Sequence, residues 1–183
     1  LERISKTLNI PSSWFLRPVP EYGARNSFFR SNVSITKEAR TISNIHLQWL
    51  NEIGLILQEW LDWPEVNFPA YEESDYTQIS MEDIEKFTVH CRKHWKLGMG
   101  PVSDVMLLLE NNGAICALLE LGYTKMDGNS RWFDTDHRPY VMVAGDKANA
   151  IRNRFDAAHE LAHLVLHRNI DTLEFNKHYK LIE

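Results

Sequence analysis

The sequence predicts an α+β domain with a helical N-terminal part, a small three-stranded sheet and one long C-terminal helix. Two observations carry this prediction. Residues 35–60 and 80–95 place apolar side chains at steps of three and four, the period of a helix face. Residues 114–143 instead hold short apolar runs separated by turn residues, which is typical of strands. Helices, a small sheet and a final helix follow one another in that order, which indicates an α+β fold.

Residues 1–16 suit the last turns of a small helical unit, and three further helices are predicted between it and the sheet. The first covers about residues 35–60 and ends before Pro64, because the position before a proline is disfavoured in a helix. Ser80, with Asp83 three residues later, resembles the N-cap of the second helix. A shorter third helix lies between residues 101 and 113. Three tryptophans lie on these apolar stripes and are expected to pack in the core: Trp49, Trp60 and Trp95.

The strand candidates are residues 114–123, 130–133 and 140–143. Asp127-Gly128 predicts a turn between the first two. A helix then runs from about residue 146 or 147 to His167.

Composition restricts the class of protein. The 183 residues suit one domain, and a 44% hydrophobic content allows a substantial core. The net charge of −5 argues against a nucleic-acid-binding surface over the whole domain. No apolar run could cross a membrane, and the first twenty residues do not form a signal peptide. With only Cys91 and Cys116 and no paired spacing, a reducing cytoplasm is the expected location.

The charge is unevenly distributed. Residues 41–85 carry ten acidic residues and no Lys or Arg. Two interpretations are open, a solvated acidic face and a docking surface for a basic partner, and the first is the more common outcome for a run of like charges.

The last helix contains the sequence that carries chemistry, His159-Glu160-Leu161-Ala162-His163. Two histidines four residues apart lie on nearly the same helix face, so both imidazoles can bind one zinc ion. Glu160 lies beside them and can take a proton from water that the metal has made acidic. Because Ala, Leu and Val fill the other positions from Ala157 to Leu166, the helix is expected to be buried.

Zinc in a catalytic site needs a third protein ligand, and the spacing leaves the choice open. His167 lies on the same straight helix, too far along it for one ion, and is expected to support the site or end the helix. Asp171 and Glu174 could fold back after a turn. Glu183 could lie on a second helix that crosses the first.

Four segments of the chain carry a resemblance to a known family: residues 97–101, 127–132, 138–141 and 154–167. Through them, residues 80–183 resemble the ImmA/IrrE family of metallopeptidases, whose fold is similar to a minimal zinc protease of the His-Glu-x-x-His…Glu (gluzincin-like) class. The resemblance implies zinc as the cofactor, His159 and His163 as ligands, and Glu160 as the general base that then protonates the leaving amine. In this family the third ligand is a Glu at the start of a later helix, so the resemblance favours Glu183 and implies that the domain continues beyond it.

The N-terminal residues carry a second resemblance. Residues 1–16 resemble the tail of a Cro-like helix-turn-helix module, and residues 25–31 resemble proteins that fuse such a module to this peptidase domain. The expected division is therefore a module tail and linker over residues 1–31 and a peptidase domain over residues 32–183. Such fused proteins are similar to regulators of phage and mobile-element genes. The resemblance implies a helix-turn-helix repressor as the substrate, with DNA bound only through the N-terminal module.

A non-catalytic alternative stays open at this point. The chain could be a sensing or protein-interaction domain of a transcriptional regulator with a vestigial metal site, which the acidic segment 41–85 would suit. Hydrolysis of a small amide would use the same metal site. His178, Tyr179 and Arg154 lie near enough in sequence to stabilise an oxyanion, but the sequence does not choose among them.

Overall fold

The computed structural model contains five α-helices, one 3-10 turn and four strands within the residues that it describes. It describes residues 1–18, 21–23, 27–30, 36–72, 78–120, 127–145 and 149–170. The helices are α1 (Glu2–Leu8), α2 (Lys37–Leu57), α3 (Met81–His94), α4 (Val105–Asn111) and α5 (Ala150–Leu166), with a 3-10 turn at Ser12–Leu16. The strands are β1 (Ser27–Arg30), β2 (Ile115–Leu119), β3 (Gly128–Phe133) and β4 (Arg138–Ala144).

The sheet is mixed and has the order β1-β3-β4-β2. Strand β4 pairs antiparallel with β3 and parallel with β2, and β1 adds to the outer side of β3 in antiparallel orientation. The α+β class is confirmed, but the expected number of three strands is wrong because β1 was not predicted. Four residues between basic and polar neighbours are too short a run to show an alternating pattern.

The two faces of the sheet are covered by different helices, so the domain has three layers. Helix α5 packs on β3 and β4 together with α3 and α4, whereas α2 packs on the opposite face. Neighbouring β3 residues alternate between the layers: Trp132 belongs to the core under α5 and Phe133 to the core under α2. The sheet therefore presents Gly128 and Ser130, which share the face of Trp132, to α5.

The prediction that Trp49 and Trp60 pack in the core is wrong. Trp49 is 50% exposed and Trp60 is 74% exposed. The third tryptophan, Trp95, is half-buried, and its Nε1 donates to the Asn67 carbonyl oxygen at 2.8 Å. The residues that α2 buries are smaller or polar: Ala39, Ser43, Leu47, Asn51 and Gly54.

Helix α2 lies so close to the sheet that only small side chains fit at some of its buried positions. A Cβ atom on Gly54 would lie 2.5 Å from the Tyr140 hydroxyl oxygen, so a larger residue cannot stand there without moving the helix. Ser43 is 2% exposed and accepts a hydrogen bond at 2.9 Å from the Asn129 side-chain amide. Helical periodicity therefore predicted the helix correctly but assigned its core side to the wrong face.

The start of α3 agrees with the prediction, whereas α5 is shorter than predicted. Ser80 caps α3 in a reciprocal capping box with Asp83, as predicted, and the hydrogen bonds from Ser80 lower the pKa of Asp83. Helix α5 begins later than predicted, because the Asn149 side chain accepts hydrogen bonds from two backbone N–H groups of its first turn. It ends at Leu166, one residue before the predicted end. Among the described helices, none combines the length and hydrophobicity that a membrane crossing requires.

Candidate metal centre

The two histidines of the motif converge. The Nε2 atoms of His159 and His163 lie 2.8 Å apart, one helical turn along α5. His163 is 2% exposed, whereas His159 is half-buried and reaches toward solvent. The expectation that both imidazoles share one face of the helix and point at a common position is therefore met by the geometry.

The ring of His163 is fixed on two further sides. Phe28 of β1 stacks on its face, with ring centroids 4.8 Å apart and planes at 11°. Its Nδ1 lies 2.8 Å from the Nδ1 of His167, the residue that caps α5. A neutral imidazole carries one ring proton, so a His163 that donates from Nδ1 to His167 keeps a lone pair on Nε2. That lone pair is aimed at His159.

Burial favours the neutral form of His163 and of His167. It is the largest cause that holds the pKa of His163 well below its usual range, and the neighbouring His167 and His159 act in the same direction. The pKa of His167 is lowered to about 4, again mainly by burial. Neutral imidazole is the form that binds a metal ion.

Glu160 is fixed against the sheet. It is 0% exposed, and the Ser130 hydroxyl donates to its Oε2 at 2.5 Å. The carboxylate also comes close to the backbone of β3, because a Cβ atom on Gly128 would lie 2.8 Å from Oε1. The motif's glutamate is thus held against β3.

Helix α5 as a whole is anchored to the sheet. The indole Nε1 of Trp132 donates to the Leu164 carbonyl oxygen at 3.2 Å, and Arg168 lies over the same indole at 3.8 Å. At the other end, Arg152 forms an ion pair at 2.7 Å with the buried Asp127. The prediction of a buried helix holds only in part. Ala157, Leu164 and Val165 are buried, but Ala158 is exposed although it lies two turns before Val165 on the same face.

The later candidates for the third zinc ligand lie outside the described residues. They are Glu183, Asp171 and Glu174, and the oxyanion candidates His178 and Tyr179 lie outside as well. Within the described parts of the chain, no three His, Cys, Asp or Glu side chains are grouped so as to hold a metal ion. His167 contacts Nδ1 of His163, on the side away from His159, which suits the supporting role expected of it. Arg154, the third oxyanion candidate, donates to the Ser103 carbonyl oxygen at 3.1 Å.

His159 and His163 suit two of the ligand positions of a zinc ion, and His167 suits the hydrogen-bond partner of one of these ligands. Two nitrogen donors converge, the buried one is neutral, and its second nitrogen has a hydrogen-bond partner, as is usual for a metal-binding histidine.

Sequence reasoning missed three neighbours of this centre, Phe28, Ser130 and Gly128. The motif is local to one helix, whereas these residues come from strands far away in sequence. Only Ser130 and Gly128 lay in segments that the resemblance had singled out.

The comparisons with known proteins concern this part of the chain. Residues 116–181 match the family model Peptidase_M78, described as the IrrE N-terminal-like domain. The match covers β2 from its second residue onward, and β3, β4 and α5 in full. It supports a metallopeptidase of the ImmA/IrrE type over these residues, a little over a third of the chain. No curated protein and no solved structure matches the sequence. Phe28 and α2 lie outside the matched segment, and the division at residue 31 and the helix-turn-helix resemblance of residues 1–16 stay predictions.

Proposed function

We propose that the protein is a zinc-dependent endopeptidase whose metal centre is built on α5. The observation that carries the proposal is the 2.8 Å approach of the His159 and His163 Nε2 atoms, on the helix whose Glu160 accepts a hydrogen bond from Ser130 of β3. The family match over residues 116–181 supports the same class of reaction. Two histidines of one helical turn with the glutamate that follows the first are the arrangement that metal-assisted peptide hydrolysis uses.

The residues have distinct roles in this proposal. His159 and His163 would hold the ion, and Glu183 would be the third ligand that the family resemblance implies. When bound, zinc supplies Lewis acidity that makes a water molecule a stronger acid. Glu160 accepts a proton from the attacking water on a carboxylate oxygen and delivers it to the leaving amine nitrogen. Ser130 and Gly128 orient that carboxylate, since they fix it from the β3 side.

The proposed substrate is a helix-turn-helix repressor, whose cleavage would release transcription in the cytoplasm. This part of the proposal depends on the resemblance of residues 1–31 and of the peptidase domain to fused regulators of phage and mobile-element genes. DNA would be bound through the N-terminal module and not through the peptidase domain.

The test compares wild-type protein with Glu160→Gln on the helix-turn-helix repressor encoded beside it, with and without a chelator. Gln has the size of Glu and can still accept from Ser130, so we expect Glu160→Gln to keep its fold and its zinc and to lose at least 99% of the cleavage rate. Circular dichroism and zinc analysis provide the controls. Equal cleavage by the variant would remove Glu160 from the mechanism. Zinc-loaded wild type that cuts no repressor would favour the non-catalytic regulatory domain instead.

A further inference from the structure

The longest helix presents a stripe of large apolar side chains to solvent. Four residues of α2 and one just after it are exposed at helical spacing: Ile45 (37%), Trp49 (50%), Ile53 (52%), Ile56 (53%) and Trp60 (74%). We call these five residues the α2 stripe. Scattered exposed apolar residues are ordinary on a protein surface, but a continuous row that includes two tryptophans is typical of a binding surface.

A groove runs beside the α2 stripe. It has a volume of about 340 Å³ and lies between α2 and β2, with Trp49 and Ile53 on one wall and Ala117 and Leu119 on the other. Strand β2 is the last strand of the sheet on this side. The α2 stripe and the groove together form an apolar strip with a depression, the shape into which one face of an amphipathic helix fits.

The surroundings of the α2 stripe are acidic. Glu59, Asp62 and Glu65 are exposed just after the end of α2, and no Lys or Arg occurs between residues 41 and 85. The carboxyl end of the helix adds a partial negative charge at the same place. Arg138 of β4 reaches this segment as well, and its Nη1 donates to the Pro64 carbonyl oxygen at 2.8 Å, but the three carboxylates outnumber it. A ligand that covers Ile56 and Trp60 therefore meets a net negative charge, which favours Lys or Arg on that ligand.

We propose that the α2 stripe binds an amphipathic helix of a partner protein, with apolar side chains in the groove and Lys or Arg beside Glu59, Asp62 and Glu65. This surface lies on the sheet face opposite α5. The proposal does not depend on the peptidase activity.

The experiment uses the whole chain and two synthetic helical peptides as probes. Both peptides have the same apolar face, and their flanking positions are Lys in one and Glu in the other. Binding is measured by titration calorimetry and by tryptophan fluorescence at two salt concentrations. We expect the Lys peptide to bind at least tenfold more tightly than the Glu peptide and to weaken as salt rises.

Variants locate the contact. Trp49→Ser and Ile53→Ser should each weaken binding of the Lys peptide at least fivefold. Leu107→Ser, which changes a residue of matched exposure (51%) on α4, should leave binding unchanged. Glu59→Lys combined with Asp62→Lys should reverse the preference in favour of the Glu peptide. Because all these side chains are exposed, the variants are expected to remain folded, which circular dichroism checks.

Three results would overturn the proposal. Equal affinity for both peptides would show that the surface is merely apolar, and no binding of either would show that it takes no helix. Sedimentation equilibrium that reveals a dimer dissociated by Trp49→Ser would assign the α2 stripe to a second copy.

Discussion

Phe28 and His163 stack nearly in parallel, with ring centroids 4.8 Å apart, although they come from the first strand and the last helix described. Phe28 is 2% exposed. It covers one face of the imidazole, while His167 contacts its Nδ1 and leaves Nε2 facing His159. The centre on α5 is therefore completed by a strand outside the segment that matches the family model.

Replacement of Phe28 should weaken zinc binding without removing a ligand. An aromatic pair contributes about 0.5–1.5 kcal/mol beyond the area that it buries. We expect Phe28→Leu to raise the zinc Kd about 2- to 10-fold, and Phe28→Tyr to restore most of the affinity. Competition with a chromophoric chelator measures the Kd, and the visible spectrum of the Co²⁺ form reports the geometry of the site.

Phe133→Leu is the matched control. Phe133 is 0% exposed and packs under α2, on the opposite face of the sheet from His163. Its replacement should lower stability without changing the Kd or the Co²⁺ spectrum. If both variants change zinc affinity equally, Phe28 acts only through general stability.

His167 should matter for the metal through the tautomer of His163. Loss of the partner of a metal-binding histidine costs about 10- to 100-fold in metal affinity. We expect that loss for His167→Leu, which removes the ring nitrogen 2.8 Å from the His163 Nδ1, and a partial recovery for His167→Gln, which offers an amide oxygen. The same chelator competition measures it. A His167→Leu protein with wild-type zinc affinity would contradict the supporting role.

Gly128 provides the room for Glu160. In Gly128→Ala the new Cβ atom would lie 2.8 Å from the Glu160 Oε1, so we expect the free energy of unfolding to fall by about 1–3 kcal/mol. The cost should shrink in a Glu160→Ala background, where the carboxylate is absent. Urea denaturation of the four proteins in this double-mutant cycle measures both costs. Equal costs in the two backgrounds would show that Gly128 is needed for another reason.

Cys91 should react slowly with alkylating reagents in the folded protein. Burial raises the pKa of its thiol to about 11, and only the thiolate is a good nucleophile. At pH 8 about one molecule in a thousand then carries the thiolate, and the rate should keep rising with pH up to about 11. Iodoacetamide labelling followed by mass spectrometry checks this, with urea-unfolded protein as the reference. Labelling at the unfolded rate would contradict the burial.

The features that could be predicted from the sequence are those that depend on residues close together in the chain. The spacing of His159 and His163 gave the shared helix face, and Ser80 gave a helix start, because both depend on residues within one turn. It did not predict that Trp49 and Trp60 face solvent, since periodicity marks a stripe without saying which side the sheet covers. That choice depends on how closely Gly54 approaches Tyr140, a contact between distant segments. Strand β1 was missed because its pairing partner, β3, lies about a hundred residues away.

The most direct test of the central claim is anomalous diffraction at the zinc absorption edge, from crystals grown with zinc. The account predicts one peak about 2.0–2.1 Å from the Nε2 atoms of both His159 and His163. A peak elsewhere, or no peak at all while those two nitrogens remain in direct contact, would contradict it.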